Sequence, residues 1–228
     1  MTMEEKVLTL LKARRTTDLI DELKQHPALV DTRDPQGVSL LSLSFYYGNT
    51  ELSDYLLAHK ANLDIFEASA AGRLDKVKAF VTEHGDQLNA FSADGFTPLG
   101  LACFFARTPV AAYLLDAGAD PSLASRNAFQ VAPLHSAAAA HATDIVRLLL
   151  EHHADVQATQ QGNNTALHSA AHHGELEMTQ LLLRYGANPK AKTDQGQTPY
   201  DMAIEKGFTE VAALLRGGAG GVKSPAEP

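Results

Sequence analysis

The sequence predicts an all-α chain built as a stack of helix-turn-helix units. Three observations predict it. A six-residue phrase recurs as Thr97-Pro98-Leu99-Gly100-Leu101-Ala102, Ala132-Pro133-Leu134-His135-Ser136-Ala137, Thr165-Ala166-Leu167-His168-Ser169-Ala170 and Thr198-Pro199-Tyr200-Asp201-Met202-Ala203. A turn position recurs at Gly48, Gly72, Ala106, His141, Gly174 and Gly207. Between phrases, apolar residues return at helical spacing, as in Leu176, Met178, Leu181, Leu182 and Leu183. No unit of this size buries its apolar face alone, so neighbouring units must stack.

The elements follow in chain order. Glu4 to Val30 reads as a helix pair, with Val7, Leu8, Leu10 and Leu11 on one face and Leu19, Ile20 and Leu23 on the next; His26-Pro27 stops it. It carries many charges and no copy of the phrase, as an N-terminal cap over residues 1–33 should. A weak copy, Ser39-Leu40-Leu41-Ser42-Leu43-Ser44, opens a unit over 34–63. The step from Gly48 to Gly72 is short. Lys60-Ala61-Asn62-Leu63-Asp64 therefore leads straight into Ile65, with no projecting hairpin and a gap in the row of fingers. Further units are expected over 64–91, 92–125, 126–159 and 160–192, each with a polar tip and two helices. The unit 160–192 shows the logic: Gln160 to Asn164 is turn-forming, Thr165 caps a helix, Gly174 breaks it and Gly186 ends the next. Residues 193–216 form a C-terminal cap. Gly217 to Pro228, rich in Gly and Pro, reads as a disordered tail.

The period near 33 residues and the T-P-L-H-x-A core resemble the ankyrin repeat, specifically over 92–216, moderately over 34–91 and weakly over 1–33. The compact N-terminal cap resembles that of bacterial ankyrin repeat proteins. The resemblance implies a solenoid with short projecting β-hairpins and a concave face made of hairpin tips and inner helices. It implies protein binding and no chemistry.

Composition narrows the function further. Net charge is −8 and the basic residues are scattered, against a nucleic-acid backbone or an anionic membrane as the main ligand. The one cysteine, Cys103, excludes an intrachain disulfide, and its place beside Ala102 predicts a buried, inert thiol. The N-terminus lacks signal-peptide features and no apolar run approaches the ~18 residues of a membrane span. A cytoplasmic monomer without cofactor is the expectation. No nucleophile motif or phosphate loop is present, so the chain reads as non-enzymatic.

Histidines invite a metal reading. His168 and His172 are four apart, but Ser169 stands where a zinc hydrolase has its general base. His135 and His168 belong to the recurring phrase and, by the resemblance, are structural. His153 replaces the usual Gly at a helix end. His141, His172 and His173 fall at equivalent turns of adjacent units, so stacking would bring His141 near His173. That cluster, with Glu175, carries the alternative function, a metal-binding or pH-sensing protein.

The favoured surface is a stripe of paired residues before each inter-helix turn. It reads Tyr46-Tyr47, Ala70-Ala71, Phe104-Phe105, Ala139-Ala140, His172-His173 and Glu205-Lys206. Aromatic residues dominate binding hot spots. Partner contacts are therefore expected from Tyr46, Tyr47, Phe104, Phe105, His172 and His173. Phe96, Phe129 and Asn164 add contacts from the tips. About half of the paired aromatics should pack inward, and the alanine pairs should leave shallow pockets. The function expected is a non-catalytic scaffold or adaptor for an unidentified protein partner.

Overall fold

The computed structural model describes residues 1–217, which fold into seven successive helix pairs. They are α1 (Met3–Lys12) and α2 (Thr16–Gln25), α3 (Leu40–Tyr46) and α4 (Thr50–His59), α5 (Ile65–Ala71) and α6 (Leu74–Glu83), and α7 (Pro98–Phe104) and α8 (Thr108–Asp116). There follow α9 (Pro133–Ala139) and α10 (Thr143–Glu151), α11 (Ala166–His173) and α12 (Leu176–Arg184), and α13 (Pro199–Glu205) and α14 (Thr209–Gly217). Gly217 closes α14, and the rest of the expected tail, 218–228, lies outside the described residues.

The turn register is visible in the backbone. All six recurring turn residues have positive φ, including the non-glycines Ala106 and His141. Arg14, with φ 56°, continues the series into the α1–α2 turn. The N-terminal pair thus shares the geometry of the array although it lacks the phrase. His153 likewise adopts φ 64° in place of the usual glycine. Helix starts are locally encoded. Thr2 and Glu5, Asp64 and Glu67, and Thr198 and Asp201 cap each other reciprocally, and the Thr97 side chain accepts from Gly100 N.

The β-hairpins expected from the resemblance do not extend into strands. Among the described residues the only pairings are isolated bridges, Arg33 with Ser39 and Gln160 with Asn164. The tips are closed by short crossings, such as Ser92 N to Phe96 O at 2.9 Å, and the chain then enters a helix. A loop that re-enters a helix at its next residue has no length left for a ladder. Tips are instead joined to one another. Arg126 N donates to Gly95 O at 2.8 Å, Gln161 N to Phe129 O at 3.0 Å and Asp194 N to Gly162 O at 2.9 Å.

Residues 60–64 join α4 to α5 without a finger. The gap expected in the finger row is closed, however. A Cβ built on Gly37, in the first finger, would lie 3.3 Å from Ala93 Cβ in the next. The fingers flanking the shortened unit therefore meet over it.

Gly95 is where one finger meets its neighbour most tightly. Its φ is +85°, and an added Cβ would lie 2.9 Å from the Arg126 carbonyl carbon and 3.1 Å from Asn127 N. These are backbone atoms that cannot rotate away. Gly95→Ala is expected to cost about 2–3 kcal/mol, from left-handed strain plus separation of the two tips. Urea denaturation of the variant would measure it; an unchanged midpoint would refute the close approach.

The interior divides in two. Val7, Leu11, Leu19, Leu23, Leu40, Leu41, Leu52 and Leu56 belong to a core shared by the first two helix pairs. A second core runs from Ala68 and Val77 through Leu114 and Leu149 to Leu215. Leu63, in the fingerless connection, packs against both. Directly beside it, Lys60 Nζ lies 2.5 Å from Asp31 Oδ1 and 3.3 Å from Glu67 Oε1, with the Lys60 and Glu67 side chains only 5% and 2% exposed. Arg33 and Asp64 pair at 3.3 Å at the same junction.

Candidate partner-binding groove

The stacking of first helices places their ends beside the fingers, and there the aromatic residues collect. Tyr46, at the end of α3, lies 5.8 Å from Phe104 and 5.5 Å from Phe105, ring centre to ring centre. Phe45 lies 5.6 Å from Phe105, and Phe96, in the finger, lies 6.0 Å from Phe104. Tilted and edge-on arrangements of this kind suit ring quadrupoles. The α3 and α7 ends meet although α5 lies between them in the stack. The reason is Ala70-Ala71, whose small side chains leave room for the rings.

The paired stripe splits as its members differ in burial. Phe104 is 40% exposed, whereas Phe105 is half-buried against three rings. Tyr46 is half-buried, and its hydroxyl donates to Asp94 Oδ2 at 2.5 Å. Burial, and then the Asp94 bond, push the Tyr46 phenol far above its ordinary range. Tyr47 is also 40% exposed but stands outside the cluster, bordering a cleft with Leu11, Arg14 and Thr16. Phe129 is 60% exposed at its tip, held by its carbonyl bond to Gln161. Asn164 uses its amide locally, donating from Nδ2 to Gln161 O at 3.3 Å. Cys103 is fully buried, and burial pushes its thiol well up, in keeping with an inert side chain.

The imidazoles form a second constellation. His141 and His173 rings lie 4.6 Å apart, edge to face, and His172 and His173 lie 5.0 Å apart. His141 Nδ1 is 2.7 Å from Glu175 Oε1. Partial burial lowers the pKa of His173, and the neighbouring His141 and His172 lower it further. The expected approach of His141 to His173 is present. A metal needs at least three convergent ligands, and among the described residues no group of three or more His, Cys, Asp or Glu is arranged to hold one.

His135 and His168 are buried in the first turns of α9 and α11. The Ala132 N–H donates to His135 Nδ1 at 3.3 Å, and His135 Nε2 reaches Ala158 O at 3.0 Å. The Thr165 N–H donates to His168 Nδ1 at 3.2 Å, and Nε2 faces Gln197 O at 3.3 Å. Each neutral ring, protonated on Nε2, is thus satisfied on both sides and ties a helix start to the following segment. Burial lowers both pKa values, the carbonyl bonds opposing it. In the unfolded chain these rings titrate near the ordinary value of about 6.5. The unfolded state therefore takes up protons first as pH falls. Stability is full above the unfolded value and is lost as pH drops toward the depressed folded values. Melting temperature is expected to fall between about pH 7 and pH 5, and the slope to shrink in a His135→Gln/His168→Gln chain.

With this geometry in place, comparison with known proteins decides the family. A model described as ankyrin repeats (3 copies) matches residues 65–160 and 134–222. The chain belongs to the ankyrin repeat family. Ankyrin repeats generally mediate protein–protein interaction. The match begins at α5, directly after the fingerless connection 60–64, and the second core begins within that helix at Ala68. One similar protein is the transient receptor potential channel pyrexia of Drosophila melanogaster, 32% identical over 95 residues, 42% of this chain and 10% of that protein. Another is the putative ankyrin repeat protein FPV024 of fowlpox virus (strain NVSL), 30% identical over 88 residues, 38% of this chain and 15% of that protein. The chain thus spans only a small part of either relative. Among the described residues, no helix of this ankyrin repeat chain is long and apolar enough to cross a membrane.

Two residues central to this geometry escape a reading of the sequence. Asp94 looks like an ordinary turn residue of Asp94-Gly95; only its place in the tip beside the Phe96-Thr97-Pro98-Leu99 phrase hints at more. Lys60 follows a helix end like many surface lysines, and its signal is the missing finger after it.

Proposed function

We propose that this ankyrin repeat chain is a non-catalytic, cytoplasmic adaptor that holds a protein partner in the groove between its fingers and first-helix ends, acting as a monomer. The observation that carries the reading is the preformed cluster of Tyr46, Phe96, Phe104 and Phe105, from which Phe104 emerges 40% exposed. An aromatic ring already fixed by its neighbours binds with little further ordering cost. Phe104 is the central anchor. Tyr47 and Phe129 contribute exposed rings on either side in sequence, and His172 and His173 extend the surface toward the C-terminal units. Asn164 holds its tip in shape. Tyr46 and Phe105 act chiefly by supporting Phe104.

Capture from the native lysate with wild type and with a Tyr47→Ala/Phe104→Ala/Phe129→Ala variant tests this. A partner held by wild type and lost by the folded variant supports the groove. Equal retention by both places binding elsewhere. The pH-sensing alternative keeps one supporting observation, the His141–His173–Glu175 contact. It predicts capture that changes with pH only while His173 is present.

A further inference from the structure

Within the aromatic cluster, Asp94 is a partly buried carboxylate served only by hydroxyl groups. Tyr46 Oη donates to one oxygen at 2.5 Å and the Ser92 hydroxyl donates to the other. Among the described residues no Lys, Arg or His nitrogen comes within 4.0 Å of it. The guanidinium groups of the surrounding segments are occupied elsewhere. Arg126 lies 4.0 Å over the Phe91 ring, Arg107 donates from Nε to Ala70 O at 2.8 Å, and Arg33 is paired with Asp64. The contacts run in a closed circuit: Asp94 to Tyr46, Tyr46 to Phe104, Phe104 to Phe96, and Phe96 through Gly95 back to Asp94.

We propose that this circuit is a recognition site for a basic side chain of the partner, with a guanidinium group seated against Phe104 and paired with Asp94. Ring faces attract cations, and most strongly where water is partly excluded. A carboxylate has about four acceptor positions, of which the two hydroxyls use two. The remaining lone pairs suit the fork of an arginine better than the point charge of a lysine. The net charge of −8 draws a basic segment toward the groove from a distance. The inference rests on the groove reading and adds the partner's chemistry to it.

An NMR titration of the full chain with N-acetyl-arginine amide, N-acetyl-lysine amide and the neutral N-acetyl-citrulline amide tests it without knowledge of the partner. The arginine probe is expected to shift the ring signals of Phe96 and Phe104 and the amides of Asp94 and Gly95, saturating in the millimolar range. Citrulline, which keeps the shape and lacks the charge, should bind at least about fivefold more weakly, a loss of about 1 kcal/mol. Asp94→Asn leaves Tyr46 an acceptor and should erase the preference for arginine over citrulline. Phe104→Leu, which leaves the Tyr46–Asp94 bond alone, should weaken the arginine probe in a chain whose remaining spectrum is unchanged. No shift at this cluster, equal shifts from citrulline, or an undiminished preference in Asp94→Asn would overturn the proposal. The lysate capture separates the two readings. A partner lost by the triple variant while the titration fails leaves the groove standing and removes only its basic ligand.

Discussion

Lys60→Ala is expected to destabilise the first two helix pairs by about 3–5 kcal/mol, the cost of leaving one charge of a buried pair without its partner. The charge left behind is Glu67, 2% exposed, whose other oxygen accepts from Asp64 N at 3.1 Å and so cannot simply turn to solvent. The loss should be local. The apolar core of residues 7–56 is separate from the core that begins at Ala68; Leu63 packs against both, and the rings of Phe45 and Tyr46 meet Phe104 and Phe105 at the surface, so the join is narrow. Hydrogen exchange should therefore accelerate over 1–59 while 65–217 keeps its protection, and urea unfolding should separate into two transitions. A Lys60→Met/Glu67→Gln chain should recover most of the stability, because replacing both charges removes the uncompensated one and Gln keeps an acceptor for Asp64. Uniform loss of protection along the whole chain would refute the division into two cooperative parts.

Phe104→Ala and Phe105→Ala should have opposite consequences although the residues are adjacent. Phe104 is the exposed member, and its truncation is expected to cost about 2 kcal/mol or more of binding to the captured partner, roughly thirtyfold in Kd. Its loss of stability should be about 1 kcal/mol, from the edge contacts to Tyr46, Phe96 and Phe105. Phe105 is wedged against Phe45, Tyr46 and Phe104. Its truncation should cost about 2–3 kcal/mol of stability and weaken binding per folded molecule by less than Phe104→Ala does, since only the support of the anchor is lost. Calorimetric melting beside isothermal titration of each variant separates the two effects. If Phe105→Ala weakened binding more than Phe104→Ala at equal folded fraction, the assignment of anchor and support would be reversed.

The helix pairs, their turns and the fingerless connection are legible in the sequence, because each depends on residues a few positions apart. Thr97 caps Gly100 three residues on, Gly174 breaks the helix it follows, and the leucines of α12 mark a face by their own spacing. Repetition adds power, since a position such as His141 is read against its equivalents Ala106 and Gly174. The tertiary structure alone decides what lies between units. Nothing within a few residues of Tyr46 says that its hydroxyl will meet Asp94, or that Phe45 will meet Phe105 across a helix that ends in alanines. Those contacts depend on how closely α3, α5 and α7 stack, and hence on the volumes of side chains far apart in the chain. The split of the core has the same origin. Only the stacked coordinates show that Leu63, a buried ion pair and the contacts of Phe45 and Tyr46 with Phe104 and Phe105, rather than a continuous aliphatic core, carry the join between the first two helix pairs and the rest.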